Sequence, residues 1–160
     1  MNKVFQQRGT RKGQSGAAAI EFAFVLPLLL AVTYGGVVYG YVFMLQQSID
    51  FAAQQGAQAA VATVPSVNGT AAAQLTNATT AAKASLGWLP TDQFSRVNVS
   101  GGGPNCIPAG GAAPAGSVTV EVTFTLGGTT PLFPVLDLPM GIGAIPPLPA
   151  TLNACAVAYT

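Results

Sequence analysis

From Phe22 to Leu45 the chain runs for 24 residues without a charge, FAFVLPLLLAVTYGGVVYGYVFML. As a helix rising 1.5 Å per residue this stretch covers roughly 36 Å, enough to cross the hydrocarbon of a bilayer. The competing fold is a core helix. A cylinder apolar on all sides needs a large body to wrap it, and the rest of a 160-residue chain is too small for that. The sequence therefore predicts a membrane span at about 22–45. A secretory signal peptide also opens with a basic stretch and an apolar run. Its run is shorter and closes on an Ala-x-Ala site, and none follows promptly after Leu45.

The charges sharpen this reading. Lys3, Arg8, Arg11 and Lys12 place four of the six basic residues before the span. Asp50, Asp92, Glu121 and Asp137 follow it, opposed by Lys83 and Arg96. A basic head and a weakly acidic body predict a cytoplasmic N-terminus and an exported C-terminal domain. Only 7% of residues are charged and 50% are apolar, which excludes both an ion-covered soluble globule and a solvated disordered polymer. Some apolar surface must meet lipid or another protein. The net charge of +1 gives no sign of a nucleic-acid partner.

Catalysis has little to work with. There is no histidine, the acids are scattered singly, and the two cysteines can pair with each other, so neither a metal site nor a cofactor is expected. Lys83 and Ser85 are the only conceivable nucleophile pair, and residues two apart do not face each other on a helix. The chain reads as a non-enzyme.

Glu21 stands where the span begins, between Ile20 and Phe22. A carboxylate near the membrane is commonly functional and usually has a partner. One reading makes it a helix-terminal acid favoured by the macrodipole. The other requires a cut after Gly16, which removes the whole basic head and leaves the ammonium of Ala17 one turn from Glu21. Such a rod suits side-by-side packing: Glu21 of one subunit neutralises the terminal amine of a neighbour and fixes the stagger, as a lone polar residue does in a coiled coil. Small residues recur every fourth position at Ala19, Ala23, Pro27, Ala31 and Gly35, and Gly36 with Gly40 forms a GxxxG pair that lets another helix approach closely. Alanine and glycine are also simply common in spans. Pro27 removes one backbone hydrogen bond.

The run from Arg11 to Leu30, RKGQSGAAAIEFAFVLPLLL, resembles the leader and helix start of the TadE-like pseudopilins, minor-pilin-like proteins of the tight-adherence (Tad, or Flp) type IV pilus system. The shared pattern is a basic leader, a glycine, small or apolar residues, then an acid with an aromatic neighbour. It continues to about Val61 through the small-residue stretch 52–60, and a looser similarity covers the last 45 residues. Many members carry a second acid and an arginine late in the span, where this chain has Tyr39-Gly40-Tyr41-Val42.

The resemblance implies a prepilin peptidase that cuts between Gly16 and Ala17, making Glu21 the fifth residue of the mature chain, next to Phe22. It also implies other pilin-like subunits and the Tad inner-membrane assembly machinery as partners, and a single-pass protein of the bacterial inner membrane acting in assembly of an adhesive pilus. The alternative is an uncut anchor that keeps its head and presents an exported binding module to an envelope partner.

Beyond the span the helix continues, since Gln46 to Val61 holds no breaker but Gly56 and sets Ile49, Ala52, Ala53, Gly56 and Ala60 on one side; it ends near Pro65. A second helix runs from Asn68 or Thr70 to Leu86, with Gly87 as its stop and a polarity suited to an exposed surface. Phe94–Ser100, Ser117–Leu126 and Thr151–Tyr159 read as strands, with Glu121 on the polar side. The fold class is α+β: a leader (1–16), a long hydrophobic helix (17–62) and a small exported domain (63–160) with a second helix and a short antiparallel sheet.

Cys106 falls in a glycine-rich loop and Cys155 in the last strand. One disulfide is the simplest arrangement, closing a loop of about 50 residues and contributing roughly 4 kcal/mol in the chain-entropy model. Free thiols and bridges between subunits are the alternatives. The segment 131–149 is as apolar as a second span but holds six prolines, so it reads as an extended loop. It either completes the small core or docks a partner through Phe133 and Met140. Asn68, Asn77 and Asn98 match the glycosylation acceptor pattern, with chance the default in so Ser- and Thr-rich a chain.

Overall fold

The computed structural model describes residues 15–63, 71–102, 106, 116–128, 130–134, 136–138, 143–145 and 147–159. The basic head, Pro65, Asn68, Thr70 and Met140 lie outside the described residues. The fold is α+β. Helix α1 (Ser15–Ala62) is followed by α2 (Ala71–Ser85), a single turn α3 (Thr91–Phe94), and strands β1 (Val97–Gly101), β2 (Ser117–Thr125), β3 (Leu136–Leu138), β4 (Gly143–Ile145) and β5 (Thr151–Tyr159). The chain divides into two units, Met1–Val37 and Val38–Thr160.

In the first unit, α1 passes through Pro27 and presents its large side chains to the outside. Phe22, Leu28 and Val32 are each exposed by more than 60%, and Phe24 by 79%. Of the described residues, α1 is the one helix long and apolar enough to cross a membrane. Its most apolar 18-residue window has a mean hydropathy of 2.0 and none of that window is buried.

The second unit has a conventional core. Val38, Val42, Leu45, Ile49, Ala52, Ala53, Gly56, Ala57 and Ala60 are buried at three- and four-residue spacing, the signature of one helical face against a body. They meet Ala78, Ala82 and Leu86 of the α2 region and the sheet residues Val97, Val120, Val122, Phe124, Leu152 and Ala154. The sheet is fully antiparallel in the order β1-β2-β5. Val99, Val122 and Ala154 lie across from one another, as do Val97, Phe124 and Leu152, so one face of all three strands covers the helices.

Gly56 is a contact rather than a weak point. A Cβ there would lie 3.0 Å from the Ala78 carbonyl oxygen, 3.2 Å from Val120 Cγ1 and 3.3 Å from Ala82 Cβ, so the missing side chain is what lets α2 and β2 approach α1. The C-terminus of α1 is held by polar groups of α2. Gln74 Nε2 donates to the Thr63 carbonyl (3.0 Å) and Asn77 Nδ2 to Thr63 Oγ1 (2.9 Å), satisfying groups that a helix end leaves unpaired.

Three expectations are corrected, and the one for Glu121 is refined. The second helix is not merely a surface element: Gln74, Ala78 and Ala82 form a buried stripe. The first strand starts at Val97 rather than Phe94, because Gln93 and Phe94 both donate to the Pro90 carbonyl and Ser95 Oγ donates to the Asp92 carbonyl, closing a helical turn over those residues. Glu121 sits on the polar face beside Thr119 and Thr123, but it is only 2% exposed. Ser100 and Cys155 flank it across the sheet, and no buried side-chain nitrogen or oxygen among the described residues lacks a hydrogen-bond partner. Finally, the segment 131–149 is not simply extended. β3 and β4 pair as an antiparallel ribbon, while Leu132, Phe133 and Leu148 pack on the core and Phe133 meets Tyr41 edge to face, with ring centroids 5.6 Å apart. These contacts favour the core-completing reading of that segment.

Candidate functional site

The residues singled out at the start of α1 are all on one continuous helix. Gly16 and Ala17 lie in its first turn, and a Cβ on Gly16 would meet nothing within 4 Å. Glu21 is the seventh residue of the helix and is exposed, next to the exposed Phe22. The macrodipole favours acids within the first turn and fades beyond it, so a helix that begins at Ser15 gives Glu21 little of that stabilisation. Glu21 follows Ala17 by four positions, and on a helix that spacing places them on one face, about one turn (about 5.4 Å) apart.

The helix-packing pair is equally open. A Cβ on Gly36 or on Gly40 would meet no atom within 4 Å. Within the second unit, the face of α1 that carries Gly40 points away from the core stripe and bears Phe43, Gln47 and Phe51. With Met44, Ser48, Ser85 and Trp88 these residues line a shallow groove of about 400 Å³. The sequence reading did not find Trp88 as part of a surface. The available signal was helical spacing: Gly40, Phe43, Gln47 and Phe51 recur at three and four residues on the side opposite Val38, Val42, Leu45 and Ile49.

The remaining candidates resolve differently. Cys106 and Cys155 form a disulfide, with Cα atoms 5.3 Å apart across a sequence separation of 49. The bridge ties the glycine-rich segment to the polar face of the sheet, where Cys155 lies opposite Glu121. Ser85 Oγ donates to the Ala82 carbonyl (2.8 Å), so its hydroxyl is engaged with its own helix rather than with Lys83. The Asn77 amide is committed to Thr63, while Asn98 is exposed on β1. Among the described residues no group of three or more His, Cys, Asp or Glu side chains is placed to hold a metal ion.

No curated protein and no solved structure gives a significant match to the chain. The family model that matches is described as TadE-like protein, and it covers residues 16–58, a stretch that starts at Gly16 and contains Glu21, Phe22 and the Gly36–Gly40 pair. Its length is that of the uncovered apolar helix plus most of the segment packed on the body, and the pilin-related family it describes is not enzymatic. Over this N-terminal stretch, about a quarter of its length, the chain is similar to TadE-like proteins, which is consistent with a membrane-anchored component of the Tad pilus system.

Proposed function

We propose that the protein is a minor-pilin-like subunit, processed between Gly16 and Ala17 by a prepilin peptidase, that acts in assembly of a Tad-type adhesive pilus at the bacterial inner membrane. Before assembly the helix spans the bilayer with its N-terminus cytoplasmic and its body exported, and its partners are other pilin-like subunits and the assembly machinery. The observation that carries this reading is that the stretch of α1 from Ile20 to Val37 is apolar, stands largely uncovered among the described residues and holds one charge, Glu21.

The chemistry follows from what cleavage changes. Loss of the first 16 residues removes four positive charges and creates one ammonium at Ala17. In a subunit on its own, that ammonium and the Glu21 carboxylate are left in an apolar setting without an outside partner. When a series of such helices packs in parallel, each staggered by about one turn from the last, each amine meets the carboxylate of the next subunit in a poorly screened environment, where removing one member costs several kcal/mol (about 3–5). The open Gly36 and Gly40 allow the backbones to approach, and the groove of Phe43, Phe51 and Trp88 offers apolar contact further along.

Intact-mass analysis of the protein extracted from its own membranes tests the reading. A mature chain beginning at Ala17 is the expected result. A folded, membrane-extracted chain that retains Met1–Gly16 would instead identify an uncut anchor presenting its body to an envelope partner.

A further inference from the structure

The two edges of the main sheet differ. The outer edge of β1 is five residues long, and Gly101 lies so close to α2 that a Cβ there would come within 2.8 Å of the Leu75 side chain. β5 forms the other edge, with nine residues, TLNACAVAY, that hold no charge and no proline. Natural sheets guard long edges with lysine, proline or bulges, because an unguarded row of backbone groups is a template for another strand.

The register shows which groups face outward. Thr125 N donates to the Arg96 carbonyl on the β1 side and Leu126 N to the Ala150 carbonyl on the β5 side. Odd-numbered residues of β2 therefore bond β1 and even-numbered ones bond β5. With Phe124 opposite Leu152 and Val120 opposite Ala156, the even residues of β5 are spent on β2. The backbone N–H and C=O of Asn153, Cys155, Val157 and Tyr159 are then directed to the open edge. Among the described residues one of these is guarded, since Gln46 Nε2 donates to the Asn153 carbonyl (3.1 Å). Beyond it Val157 is 44% and Tyr159 67% exposed, on the face of the sheet that carries Cys155.

We propose that residues 155–159 of β5 pair antiparallel with the same residues of a second copy, extending the sheet across a two-fold axis at Val157. This interface lies wholly in the second unit and does not depend on how the leader is processed. The segment is self-complementary: Val157 meets Val157 of the second copy, and Cys155 meets Tyr159 in both directions, which sets each tyrosine ring over the other copy's disulfide, a favourable sulfur–aromatic contact. Centring the axis on Val157 leaves Asn153 outside the pairing, so the Gln46 bond survives. The absence of charge on β5 lets two identical strands lie side by side, where a single lysine would oppose itself.

The test uses the full chain in detergent. Opposed residues in such a pair have Cα atoms about 5.5 Å apart, within disulfide reach, so Val157→Cys should cross-link under mild oxidation. Asn98→Cys, on the same sheet face but in β1, is the control, and peptide mapping checks that Cys106–Cys155 stays intact. The proposal expects the 157–157 link at about fivefold or more the yield at position 98, and a similar loss of dimer by mass on Val157→Lys but not on the uncharged strand former Val157→Thr. Position 157 is exposed, and circular dichroism with the intact disulfide verifies that each variant is folded. A monomeric wild-type mass, equal cross-linking at the two positions, or a dimer indifferent to Val157→Lys would each overturn it.

Discussion

The two halves of α1 are built from similar residues and meet different surroundings. From Ile20 to Val37 the apolar side chains are distributed around the whole helix and nearly all are exposed, whereas from Val38 to Ala60 they alternate between a fully buried stripe and an open side. The contrast separates hydrophobicity from burial. An apolar run says that water must be avoided, and only its periodicity says whether the protein itself provides the shelter. In the first half no period of burial exists among the described residues, as in a helix that could span a membrane.

The strongest way to probe this difference is to truncate one large side chain in each half. Ile49 is fully buried, and Ile49→Ala should destabilise the body by about 2–5 kcal/mol in thermal or denaturant unfolding. Leu29→Ala, in the exposed half, should leave that unfolding transition within about 0.5 kcal/mol. An equal effect at the two sites would show that the halves are not distinct.

A subtler comparison sets two glycines of the same helix against each other. Gly56→Ala drives a methyl into the Ala78 carbonyl and the Val120 side chain, and should cost about 1–3 kcal/mol. Gly40→Ala meets open space, and in a helix interior it should stabilise the isolated body slightly, by about 0.5–1 kcal/mol. Smallest of the three is the polar closure of α1. Asn77→Ala removes a hydrogen bond to Thr63 Oγ1 and should lower stability by about 1 kcal/mol, read in the same unfolding experiment.

Much of this could be read in the sequence where one physical rule acted alone. Alternation with β-branched residues placed β2 from Ser117, the run Thr151–Tyr159 was read as the last strand, and helical spacing put Ile49, Ala52, Ala53, Gly56 and Ala60 on one buried side. Local rules failed where distant chain supplied the environment. Alternation assigns Glu121 to the polar face, where it lies, but its burial depends on what covers the sheet, and that information lies far away in sequence. The turn at Thr91–Phe94 was hidden because Phe94 fits a strand pattern as well as it fits a core-facing turn. The side of the helix that Gly56 occupies was visible, but not its role as a close contact, since that is defined by Ala78, Ala82 and Val120 rather than by its neighbours in the chain. Of the candidate site, the positions of Glu21, Phe22, Gly36 and Gly40 on one helix were legible, because that helix is set by composition over a long window.

If Glu21 on the uncovered half of α1 meets the trimmed end of a neighbouring helix, its loss shows in the amount of Glu21→Ala protein found in sheared pili or purified pilus complexes, normalised to the amount of mature chain in the membrane. Synthesis and cleavage should be unchanged, with incorporation reduced by about tenfold or more for loss of one partner of an apolar charge pair. Incorporation equal to that of the unaltered protein would contradict this pairing.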